Sequence, residues 1–79
     1  MNGFRVHLLR LIQLNDGQLS WYQIDRALSS EGVEREEHLM QSLKGLESDG
    51  YVVTHVGANP SQPTYSITAA GVTALTRGV

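Results

Sequence analysis

Glu34, Glu37, His38, Gln41 and Lys44 recur at three- and four-residue intervals, so on a helix they share one face. Their chemistry is hydrogen bonding rather than bond making. A Gln amide pairs with adenine, Lys and His donate to guanine or to a phosphate, and Glu accepts from the cytosine amino group. Arg26, on the outer side of a helix near Tyr22 and Gln23, offers a guanidinium to a phosphate beside the helix N-terminus capped by Ser20. Asn59, Ser61 and Gln62 offer small polar groups to a groove edge or a phosphate. Each set also has a plainer reading. Glu34, Glu36 and Glu37 at the start of a helix stabilise its dipole by about 0.3–1 kcal/mol each. For Arg26 the solvated arginine, and for 59–62 the stiff polar loop, is the favoured reading. Trp21 and Tyr22 can stack on a base, but the spacing of Trp21 with Ile24 and Leu28 assigns Trp21 to the core, with Tyr22 nearer the edge.

Bond-making chemistry has little to build on. There is no cysteine among the 79 residues, and His7, His38 and His55 fall in separate segments without ligand spacing. No glycine loop for phosphates and no nucleophile elbow is present. The expectation is a non-enzyme without metal or cofactor. The length suits one domain, with most apolar positions committed to packing. The net charge of −2 and pI of about 5.8 count mildly against a surface built to hold phosphates. No run is apolar and long enough to cross a membrane, so the expected location is cytoplasmic.

The elements that must position these side chains are legible. Phe4, Leu8, Leu11 and Ile12 mark a helix from about Gly3 to Leu14, with Arg5 and Arg10 solvated and a turn at Asn15-Asp16-Gly17. Ser20 and Gln23 form a capping box, flanked by a staple of Leu19 and Ile24, opening a second helix that ends near Ser29-Ser30. A third helix runs from Val33 or Glu34 to Ser48, burying Leu39, Leu43 and Leu46, and closes at Asp49-Gly50. Gly45 in its interior suggests close approach of another backbone. Tyr51–Val56 and Thr64–Ile67 are strands around a loop at 57–63, and a short extra strand near Gln18-Leu19 can join them. Thr68 caps a last helix bearing Val72 and Leu75.

Three stretches carry a family resemblance. Ser20-Trp21-Tyr22-Gln23-Ile24 resembles the Gly-Tyr-Glu-Leu/Ile stretch of the PadR-like transcriptional regulators, within the broader MarR-like group. Leu43 to Val52 resembles their L-x-x-L-E-x-x-G-L-V run, and Pro63 to Gly71 their P-x-x-Y-x-L-T-x-x-G run. The resemblance implies an α+β fold, a small winged helix-turn-helix of order α1-α2-α3-hairpin-α4, reading duplex DNA with the third helix. It departs at the wing, 57–63, which has no Arg or Lys. The family's long C-terminal dimer helices also have no counterpart here.

Such readers work as two-fold pairs. The residues available for pairing are Val6, Leu9, Ala70, Val72 and Leu75, which pack equally well within one chain. The leading expectation is a homodimeric DNA-binding regulator with double-stranded DNA as partner, contacted by Tyr22, Arg26, Glu37, His38, Gln41, Lys44, Asn59, Ser61 and Gln62. The alternative is a winged-helix protein-interaction module, favoured by the acidic third helix and the uncharged wing.

Overall fold

The computed structural model describes residues 3–33, 37–56 and 63–77. In chain order the elements are α1 (Gly3–Leu14), β1 (Leu19–Ser20), α2 (Trp21–Glu31), α3 (Leu39–Ser48), β2 (Val52–His55), β3 (Thr64–Ile67) and α4 (Ala69–Thr76). The protein is a small α+β fold. The three strands form an antiparallel sheet in the order β1-β3-β2, with Leu19 opposite Tyr65 and Val52 opposite Ile67. The extra strand expected near residue 19 is therefore β1.

Local signals explain most boundaries. Ser20 caps α2: its Oγ accepts from the Gln23 N–H, and the Gln23 side chain accepts from the Ser20 N–H at 2.9 Å. Gly32 closes α2 in the left-handed conformation (φ 68°), which a Cβ would disfavour. Thr68 caps α4 by accepting from the Gly71 N–H at 3.1 Å.

The core is built on α1, which buries Phe4, Leu8, Leu9, Leu11 and Ile12 and packs on α3, α4 and β3. Ile24 and Leu28 of α2, Leu39, Leu43 and Leu46 of α3, and Val52 and Tyr65 of the sheet complete it. Both staple residues belong here, Ile24 fully buried and Leu19 packed against the cluster. Leu9 has no exposed surface within the single chain, so it is a core residue and not the dimer contact expected from the sequence. Trp21 is corrected in the opposite sense. It is 39% exposed, because the α2 face turned to the core is narrow and is filled by Ile24 and Leu28. Among the described residues, no helix is long and apolar enough to cross a membrane.

The hairpin base is tied to α4. The Thr68 N–H donates to the Tyr51 carbonyl at 2.9 Å, and Thr68 Oγ1 donates to the Gly50 carbonyl at 2.6 Å. Gly71 lies against this junction, where a Cβ would collide with the Tyr51 carbonyl and come within 2.7 Å of Ile67 Cγ1. Across the sheet, the Ile67 N–H donates to Asp16 Oδ1 at 2.9 Å. Gly71→Ala should therefore lower stability by about 1–3 kcal/mol, read as a shift in the urea midpoint at constant slope.

Tyr65, 5% exposed, has its phenol pushed above the ordinary 10.0, first by burial and then by the negative charge of Glu47. The folded state thus holds this proton more tightly than the unfolded chain. The resulting stability is intact below the unfolded value and is lost as pH rises through the folded one. Above about pH 10 the melting temperature should fall more steeply for the wild type than for Tyr65→Phe. Equal slopes would rule out a contribution from this phenol.

Candidate functional site

The third helix is shorter at its start than the sequence suggests. It begins at Leu39, with His38 as an extended N-cap (φ −64°, ψ 134°) whose Nδ1 accepts from the Met40 N–H at 3.2 Å. The carbonyl of His38 accepts from the Ser42 N–H at 3.0 Å and from Ser42 Oγ at 3.1 Å, which satisfies the fully buried Ser42 hydroxyl. Val33 and Glu37 are not helical, and Glu34 and Glu36 lie outside the described residues. The first turn of α3 has no acidic residue, so the expected interaction of Glu37 with the helix dipole is replaced.

What replaces it is an ion pair to α1. Arg5 Nε donates to Glu37 Oε1 at 2.5 Å and Nη2 to Oε2 at 3.3 Å, a two-point contact between side chains only 23% and 18% exposed. The Glu37 carboxylate raises the Arg5 pKa from its ordinary value, mainly through this hydrogen bond, so the guanidinium stays cationic. Arg5 is thus not the solvated residue expected from α1. Its guanidinium lies over α3 at Gly45, where an added Cβ would come within 2.5 Å of Nη1 and 2.7 Å of Cζ. The close approach at Gly45 is made by this side chain and not by a backbone. The mid-helix glycine was the one sequence signal, and only the packing shows that the partner is the Arg5 side chain.

The remaining face of α3 is polar. Gln41 and Lys44 are exposed, while Leu39, Leu43 and Leu46 are buried on the opposite side. Glu47, one position further round, accepts from Thr54 Oγ1 of β2 at 3.2 Å, tying α3 to the hairpin. With Nδ1 of His38 engaged as an acceptor, the exposed ring nitrogen available to donate is Nε2. The structure therefore brings His38, Gln41 and Lys44 onto one element and removes Glu37 from it. Tyr22 and Arg26 are exposed on α2, with the Arg26 guanidinium carbon 5.9 Å from the centre of the Tyr22 ring. Asn59, Ser61 and Gln62 lie outside the described residues.

Of the residues considered for pairing between chains, Val72 is exposed, Val6 is half-buried, and Leu75 packs partly against the core. A second ionic contact joins α1 to the end of α2, His7 Nε2 lying 3.0 Å from Glu31 Oε2. The connection between α2 and α3 is thereby held to α1 at both of its described ends. Among the described residues, no group of three or more His, Asp or Glu is placed to hold a metal ion.

No family model matches the chain, and neither a curated protein nor a solved structure matches it.

A four-member cycle tests the Arg5–Gly45 contact. With Arg5→Ala in place, Gly45→Ala should stabilise by about 0.5–1 kcal/mol, the ordinary helix gain of alanine over glycine. In the wild type that gain should vanish or reverse, because the new Cβ displaces the guanidinium and costs about 1 kcal/mol of the Glu37 pair. Equal effects of Gly45→Ala in the two backgrounds, read by urea unfolding, would show that the two residues do not interact.

Proposed function

We infer that this chain is a winged helix-turn-helix protein that binds duplex DNA, with α3 placed in the major groove. The observation that carries this reading is the outward presentation of Gln41 and Lys44 from a helix whose other side is sealed by three leucines. An antiparallel hairpin adjoins that helix, tied to it through Thr54 and Glu47. In this arrangement Gln41 reads a base, Lys44 and His38 supply guanine or phosphate contacts, and Tyr22 with Arg26 braces the backbone from α2.

The fold of Glu37 onto Arg5 supports the reading from the electrostatic side. A carboxylate on the groove-facing surface would repel phosphates, and the ion pair neutralises it away from that surface. A working regulator of this kind acts as a homodimer on a two-fold site. Val72, exposed on α4, and half-buried Val6 on α1 are the pairing positions that fit. A second reading, a protein-interaction module, is favoured by one observation: Val53 on β2 and Val56 just beyond it are exposed, on an edge strand that has no charged side chain.

Selection of bound sequences from random duplex DNA tests the first reading, and enrichment of a two-fold site is the expected result. Lys44→Ala should weaken binding to all duplexes alike and lower the salt slope by about one. Gln41→Ala should relax choice at one base pair, a change of about 1–3 kcal/mol in discrimination. An absence of salt-dependent duplex retention would favour the interaction module.

A further inference from the structure

The chain has a single tryptophan and places it at the surface, next to a tyrosine that is 50% exposed. Tryptophan is highly buried on average, and a chain this small gains most from burying its largest side chain. Here Phe4 and Tyr65 fill the core instead. The Trp21 and Tyr22 rings stand 5.9 Å apart between centres and 88° apart in plane. Two perpendicular rings make a corner, in which a flat ligand stacks on one face and meets the other edge-on. Arg26, exposed on the next turn, holds its guanidinium 5.9 Å from the Tyr22 centre.

A flat ring covalently joined to an anion is the chemistry of a nucleotide. The bases of an intact duplex are stacked on both faces and cannot enter such a corner. We propose that Trp21, Tyr22 and Arg26 form a stacking site for an unpaired nucleobase and its phosphate, so that the chain binds single-stranded DNA, alone or beside a duplex. This rests on the nucleic-acid reading above and specifies its ligand further. Stacking also suits the charge of the chain. Only six of its residues are Lys or Arg, the net charge is −2, and Arg5 is committed to Glu37. Aromatic stacking supplies affinity that does not depend on neutralising many phosphates.

Because Trp21 is the only tryptophan, its fluorescence reports directly on the site. Titration of the full chain with an oligothymidine of about twelve nucleotides should quench it saturably, whereas a blunt duplex of equal length should quench it far less. Tyr22→Leu, at an exposed position, should keep the melting temperature and weaken single-strand binding about tenfold. Arg26→Ala should weaken it and reduce its salt dependence. The proposal is overturned by an unchanged emission with the single strand, by equal quenching with the blunt duplex, or by undiminished affinity in Tyr22→Leu. Duplex retention that depends on Lys44, without quenching by the single strand, would leave the duplex reading standing and remove this one. Binding to neither would remove both.

Discussion

The fold depends on the double duty of α1. A chain of 79 residues has little interior, and this helix supplies a broad apolar face to α3, α4 and β3 at once. Phe4, Leu8, Leu9, Leu11 and Ile12 cover more than the stripe of an ordinary surface helix. The outer elements therefore do not need to bury each other fully. Gln41 and Lys44 on α3 stay accessible because α1 packs against the leucines on the other side of that helix. The same helix sends Arg5 over Gly45 to Glu37 and His7 to Glu31, so it also positions the connection from which α3 starts.

Much of this was legible in the sequence where the signal is local. The Ser20–Gln23 box, the Thr68 cap and the glycine at 50 each depend on residues within a turn of one another, and each appears where the spacing placed it. The bounds of α1 and of β3 follow from apolar period and β-branched composition for the same reason. The start of α3 was not legible. Glu34-Arg35-Glu36-Glu37 has no breaker and favours helix, so propensity extends the element backward to Val33 or Glu34. The competing term is a charge-assisted pair between residues 5 and 37, far apart in sequence, together with a histidine able to cap. A window along the chain contains neither partner.

The candidate surface shows the same division. Periodicity correctly separated Gln41 and Lys44 from the buried leucines, because exposure on one short helix is a local geometric property. It failed for Trp21, which shares the 3.6-residue phase of Ile24 and Leu28 yet stays 39% exposed while they are buried. Leu9, offered either to a second chain or to the interior of one, is taken by the interior, where α3, α4 and β3 pack on α1. Spacing gives the direction in which a side chain points. The breadth of the surface waiting there is a tertiary quantity.

These two outcomes have opposite signs, and together they bear on function. The interior took the aliphatic residue that a two-fold pairing would have used and left partly exposed the tryptophan that periodicity assigned to the inside. A core limited by volume takes shapes that interdigitate with Phe4 and the surrounding leucines, and a further indole would have to overpack it. Packing alone explains why Trp21 is excluded, but gives no reason for a tryptophan at that position in place of a smaller polar residue, which would leave no exposed apolar ring. Two adjacent, partly exposed rings are the feature that the stacking proposal explains. On that proposal, the perpendicular Tyr22 ring and the Arg26 cation fit a flat group carrying negative charge. On the proposal that the chain binds nucleic acid, six Lys and Arg residues leave few cations for phosphates, and ring contacts on α2 would add to the contacts of Gln41 and Lys44 on α3.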